Sequence, residues 1–298
     1  MSSLKKDFQL TSIVVISTVL IISLIVSAVG KNSVEINGYS AVLCCAIICI
    51  GSQWLVWIPA SIKQTEKFYD LTGGLTYLTV VIFSLWAGSQ SEYPSIREFI
   101  ISILVIIWSL RLSIFLYLRI HRVGKDGRFD ELKNSPVRFL VPWTLQGLWV
   151  FLTVIVVIVI NSKNGPSPPI GIWDIIGLGV WIFGFIIEVL ADNQKSKFNS
   201  KPENKGKWID NGLWAYSRHP NYFGEILLWS GIAIFGFSCL SGLELLTWVS
   251  PVFIYLLLTK ISGVPLLDKR ALEKWGDDPE YQKYRDKTSL LFPIKRNK

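Results

Sequence analysis

The chain has 298 residues, 51% of them apolar and only 17% charged, where an ordinary water-soluble domain carries about a quarter charged. That composition, with its long uncharged runs, excludes a soluble globular fold and predicts an all-α polytopic bundle of transmembrane helices. Two His and four Cys are present, the cysteines all lie inside apolar runs, and no C-x-x-C spacing occurs, so no ligand set for zinc or haem can be assembled.

Apolar windows near the roughly 20 residues needed to cross a bilayer follow one another along the chain. The first, 8–29, is too long for a signal-peptide core and reads as a retained helix. Residues 1–35 therefore form an N-terminal transmembrane helix that could stand apart as a peripheral element, with 36–298 as the main membrane domain. The next windows are 38–61, 71–89, 97–118 and 139–160. The second carries Cys44, Cys45 and Cys49, which read as small apolar residues. The fourth carries Arg111, which is costly in lipid and should face the interior toward an anion such as Glu188, Asp192 or a bound phosphate. After a Pro- and Gly-rich connector at 164–169 come 170–191, 221–240 and 243–260. Eight spans are predicted, or seven if the first is peripheral.

Charge supports that alternation. With the N-terminus in the cytoplasm, 26 of the 30 Lys and Arg fall in cytoplasmic segments, and only Lys31, Arg97 and Lys163 fall outside. This is the positive-inside pattern, and it puts both termini in the cytoplasm. It also accounts for the net charge of +8, so nucleic-acid binding has no support. The expected location is the inner or plasma membrane of a prokaryote, or the endoplasmic reticulum of a eukaryote.

The polar residues worth reading cluster late in the chain. Residues 212–225, GLWAYSRHPNYFGE, open an apolar helix at Pro220, whose missing N–H suits a first turn. The free N–H groups and positive dipole end of that helix, with Arg218 and His219 beside them, predict an anion site at the membrane edge. Asn221 and Glu225 share one helix face, as do Glu188 and Asp192. Gly177, Gly179 and Gly184 lie within a span and suit close helix packing. No G-x-G-x-x-G occurs, which excludes a Rossmann site at motif level.

Three elements follow one another in order: Asp192-Asn193-Gln194-Lys195, Trp208-Ile209-Asp210-Asn211-Gly212-Leu213-Trp214, and Ser217-Arg218-His219-Pro220-Asn221-Tyr222-Phe223-Gly224-Glu225. With Ser262-Gly263-Val264-Pro265-Leu266-Leu267-Asp268 and the aromatics Trp275, Tyr281 and Tyr284, they resemble the C-terminal domain of the steroid 5-alpha-reductase family, especially its prokaryotic-type membrane reductases. The resemblance covers residues 185–293. It implies a polytopic reductase using NADPH, held on the cytoplasmic side among helix ends, loops and the C-terminal tail. Asn221 and Asp192 match family cofactor contacts. Arg218 and His219 suit the pyrophosphate, and Lys195, Lys197 and Arg270 the 2′-phosphate, although basic residues are expected in any cytoplasmic loop. Trp208, Tyr216, Tyr222 and Glu225 belong to the same motifs. Tyr281 and Tyr284 could cover the adenine or lie on the membrane surface.

The family's substrate-side acid carries over poorly. Asp70, beside Tyr69 at the start of the third span, is the best acid for a substrate carbonyl, with a dipole-favoured helix-start carboxylate as the equally open alternative. The expected reaction is hydride transfer to a C=C bond of a steroid-like or other lipid enone, or of a polyprenoid, arriving from the bilayer. The other reading is a membrane methyltransferase using S-adenosylmethionine, resembling the isoprenylcysteine carboxyl methyltransferases through Arg218-His219-Pro220 and Glu273-Lys274-Trp275-Gly276.

Overall fold

A computed structural model describes residues 3–294, without the side chains of residues 3, 122 and 123. Among the described residues, eight helical segments are long and apolar enough to cross a membrane, beginning with Leu4–Val29 and ending with Gly242–Trp275. The protein is thus an all-α integral membrane bundle. The chain divides into two compact units, one of residues 1–170 and 236–249, the other of 171–235 and 250–298.

The first unit holds α1 (Ser3–Val29), α2 (Ala41–Ile62), α3 (Tyr69–Ser89), α4 (Ile96–Val123) and α5 (Pro136–Asn161). Side-chain caps fix several starts. Ser40 accepts from Leu43 N, Ser95 from Arg97 N, and Ser135 from Arg138 N with Pro136 in the first turn. Ahead of α2, Asn37 and Gly38 both take positive φ (52° and 83°) in a tight hairpin pairing Glu35 with Ser40. The helix α5 packs against α1, α2, α3 and α4, and its stretch from Val154 to Ile158 is wholly buried.

Polar ties replace the hydrophobic drive that lipid removes between helices. Gln53 donates to Thr76 (2.9 Å), Trp54 to Thr144 (3.0 Å), and Asn161 to both Ser84 (3.1 Å) and Ser102 (2.9 Å). Two of the three cations outside the expected cytoplasmic set are tied down. Arg97, fully buried, donates to the carbonyls of Pro168 (2.5 Å) and Pro169 (2.9 Å). Lys163 pairs with Glu244 at 2.7 Å, and Asn32 donates to the same carboxylate. At the opposite ends of α3 and α5, Tyr69, Phe129, Phe139 and Trp143 form an aromatic cluster. Beside it, buried Glu66 takes Lys133 (2.9 Å) and Asp126 N (3.0 Å).

The second unit holds α6 (Ile172–Asn199), α7 (Pro220–Phe235), all of α8 (Val249–Leu256) but its first residue, α9 (Gly263–Trp275) and α10 (Pro279–Lys287). Two reciprocal glycine pairs bring α6 and α7 into backbone contact. A Cβ on Gly177 would lie 2.7 Å from Gly231 O, and one on Gly231 2.8 Å from Gly177 O. Gly184 and Gly224 stand in the same relation at 2.6 Å each way. Gly179, expected to pack as well, faces open space, because it sits two residues from Gly177 and so on another side of the helix. The eighth span is broken where a single helix was expected. Its α-helical part is only eight residues, flanked by 3₁₀ turns at Gly242–Trp248 and a π turn at Leu257–Ile261. The Ser262–Asp268 motif caps and opens α9.

Candidate functional site

Three residues of the Asp192–Lys195 run each reach a later motif. Asn221 Nδ2 donates to Asp192 Oδ1 at 3.2 Å. Gln194 Oε1 accepts from Leu213 N at 2.9 Å. Lys195 lies over the Trp214 ring, its Nζ 4.5 Å from the centroid. Gly212, at φ 59°, permits the second contact, since a Cβ there would meet Gln194 Oε1 at 2.6 Å. Trp214 donates to Ala191 O and its own carbonyl accepts from Tyr284 OH at 2.9 Å. The spacing of the motifs is therefore the spacing of one folded contact set.

Arg218 and His219 stand just ahead of α7, where Ser217 Oγ accepts from His219 N (3.1 Å) and donates to Leu291 O (2.8 Å). Arg218 Nη1 pairs with Asp268 at 3.2 Å, Arg285 Nη2 approaches the same carboxylate at 3.7 Å, and His219 Nε2 stands 3.5 Å from it. His219 stacks on Tyr222 with centroids 5.4 Å apart and planes 9° apart. Burial holds the His219 pKa below its usual value, against the opposing pull of Asp268. Burial likewise raises the Tyr284 phenol.

These residues edge a cleft of about 510 Å³, within the usual range for small-molecule sites. Six Lys and Arg line it (Lys195, Lys205, Lys207, Arg218, Arg270 and Lys274), against one acid, Asp268. One wall is aromatic: Trp208 lies 5.1 Å from Tyr281 and 6.0 Å from Trp275, and Trp275 donates to Gly206 O at 2.5 Å. Among the described residues, Trp208 Nε1, Arg218 Nε and His219 Nδ1 are buried with no hydrogen-bond partner. A cleft with more cations than anions and buried donors without acceptors suits an anionic ligand with aromatic parts.

The structure sorts the expected residues into groups. Lys195, Trp208, Arg218, His219, Arg270, Tyr281 and Tyr284 line the cleft. Asp192 and Glu225 are buried on α6 and α7, where Asn221 ties the two helices through Asp192. Tyr222 joins the cleft group through His219, while Tyr216 is 47% exposed and Lys197 also lies away from the lining. Tyr69 and Asp70 belong to the first unit. There Tyr69 OH donates to Pro142 O at 2.9 Å, and Asp70 lines a separate small cavity. Arg111 lies over the Phe115 ring at 5.5 Å. Residue reading missed Gln194, Trp214, Asp268 and Arg285 as working parts. Gln194, Trp214 and Asp268 stood inside the quoted motifs, Asp268 as a lone acid beside the basic pair Lys269-Arg270, whereas Arg285 gave no signal.

The fold and cleft define a polytopic membrane protein with a cation-rich cleft in its second unit. The chain belongs to the family described as a protein of unknown function (DUF1295), which it matches over residues 56–288. It is 26% identical over 240 residues to the uncharacterised protein C594.04c of Schizosaccharomyces pombe, covering 70% of this chain and 67% of that one. Over 64 residues it is 33% identical to the 3-oxo-5-alpha-steroid 4-dehydrogenase 1 of Homo sapiens and of Macaca fascicularis. That match covers 22% of this chain and spans only about a quarter of each dehydrogenase, 25% and 24%. No solved structure matches.

Proposed function

We propose that this protein is a membrane-embedded, NADPH-dependent reductase acting on a C=C bond of a lipid-like substrate, a steroid-like enone or a polyprenoid taken from the bilayer. The partial likeness to 3-oxo-5-alpha-steroid 4-dehydrogenase 1 supports the reductase class. The observation that carries the cofactor is the charge of the cleft, six cations against one carboxylate. A phosphorylated dinucleotide brings several negative charges and two ring systems. Arg218, His219 and Lys195 would hold phosphates, and the Trp208, Trp275 and Tyr281 wall would cover a ring. NADPH supplies the hydride when bound. The proposed proton donor to the substrate is Asp70. S-adenosylmethionine fits the same cleft poorly, because its sulfonium and ammonium would face six like charges. In this reading both termini lie in the cytoplasm, which the distribution of Lys and Arg supports.

Thermal melting of the purified protein with NADPH, NADH and S-adenosylmethionine tests this reading. At 100 times its dissociation constant a ligand adds about 2.7 kcal/mol. NADPH should raise the melting temperature of the parent. Arg218→Ala should require about 10- to 150-fold more of it, the loss of one charge-assisted hydrogen bond worth ~1.5–3 kcal/mol. Stabilisation by S-adenosylmethionine without any by NADPH would overturn the proposal in favour of the methyltransferase.

A further inference from the structure

Just ahead of α7 the chain is held by a second segment, residues 288–292, which follows α10. Ser217 and Ser289 form a parallel β-bridge, and Arg218 N donates to Ser289 O at 2.8 Å. The Ser217 side chain, 0% exposed, uses its one hydroxyl twice: it accepts from His219 N (3.1 Å) and donates to Leu291 O (2.8 Å). Phe292 packs against Phe223, one turn into α7, with ring centroids 5.6 Å apart. Thr288 and Leu291 are themselves buried.

The backbone amides of Arg218 and His219 are consumed by these bonds, so the pair meets a ligand with its side chains alone. Between 215 and 225 only Arg218 and His219 line the cleft, and the bonds of the second segment fall on that pair and on Ser217 before it. Both side chains then reach one carboxylate, Asp268, at 3.2 and 3.5 Å. Neither Ser217 nor any residue of 288–292 lines the cleft. Whatever they do for a ligand they do through their neighbours, and a misplacement of about 1 Å in such a group costs about 100-fold.

We propose that Ser217 is a positioning residue, and residues 289–292 a brace, that together aim Arg218 and His219 at the phosphates of the ligand. The brace stands on the geometry of these residues alone; its purpose rests on the cofactor proposed above.

The test uses the full chain purified in detergent, with Ser217→Ala, Ser217→Thr and Phe292→Ala. Phe292 is 57% exposed, so its truncation loosens the brace at little risk to folding. The first readout needs no ligand. Diethyl pyrocarbonate is allowed to modify His219, only 6% exposed, with the exposed His121 as the internal reference. Peptide mass spectrometry should show His219 modified several-fold faster, relative to His121, in Ser217→Ala and in Phe292→Ala, and slowly again in Ser217→Thr, which keeps the hydroxyl. An unchanged ratio overturns the brace, and Phe292→Ala decides by itself if Ser217→Ala does not fold. The second readout is NADPH affinity against salt concentration, by calorimetry. Ser217→Ala should bind about 10- to 100-fold more weakly and with a shallower salt dependence, because an ion contact is lost. A merely structural role would lower the binding-competent fraction and weaken binding equally at every salt concentration, and that pattern overturns the positioning. Failure of the parent to bind NADPH strikes the proposed cofactor, while the His219 ratio still decides the brace.

Discussion

Asp70 and His219 carry the residue-scale predictions. Asp70 opens α3 and lines the small cavity of the first unit, while its neighbour Tyr69 has its hydroxyl engaged by Pro142 O. Asp70→Asn keeps the shape and a donor but loses the transferable proton. Turnover should fall about 100- to 10,000-fold with cofactor affinity intact, as general acid catalysis requires. A merely structural helix-start carboxylate would cost only about 0.3–1 kcal/mol of stability and leave the rate alone. Turnover and melting temperature measured on the same variant decide. For His219 the sign follows from burial, which lowers the folded pKa. The unfolded chain binds the proton more readily, so stability is full above the ordinary value of about 6.5 and falls as the pH drops through it. A phosphate beside the ring favours the protonated form. The affinity for NADP⁺ should therefore tighten below about pH 6.5 relative to a His219→Gln variant. Calorimetry in buffers of different ionisation enthalpy should show proton uptake on binding by the parent alone.

At the scale of elements, the α6–α7 pair is set by glycines rather than by side chains. Gly224→Val would drive two extra methyl groups onto Glu188 N and Gly184 O, each 2.6 Å from the position of a bare Cβ. A cost of about 1–3 kcal/mol is expected, with loss of the Asn221–Asp192 bond and weaker NADPH binding. Gly179→Ala, with open space around it, should melt at the parent temperature or slightly above, since Ala is the better helix former by about 1 kcal/mol. Circular dichroism melts of the two variants make the comparison. The spans themselves were legible, because hydropathy over about 20 residues is a local property. The break in the eighth span was not, since 3₁₀ and π turns at Gly242–Trp248 and Leu257–Ile261 leave apolar composition unchanged. The site was half legible for the same reason. Arg218 and His219 announce themselves beside Pro220, but Arg285 meets Asp268 across a turn and two helices, a pairing that residue order does not encode.

At the scale of the whole molecule, the charge pattern predicts both ends in the cytoplasm. A reporter active only outside the cytoplasm, fused after Lys298 (beyond the described residues), should stay silent; a bright signal would overturn the orientation. Two of the three exceptions to the pattern, Arg97 and Lys163, are each tied to partners within the first unit, as expected of charges kept where none is favoured. The pairing of Lys163 with Glu244 spans 81 residues of chain, most of which build the second unit before the path returns to the first. At roughly 5–20 residues per second of synthesis, Lys163 waits about 4–16 s for its counter-ion. During those seconds the first unit is unfinished although its five long helices are already made, so the nascent chain carries an unmatched charge that chaperones and insertion machinery meet and the completed protein never shows.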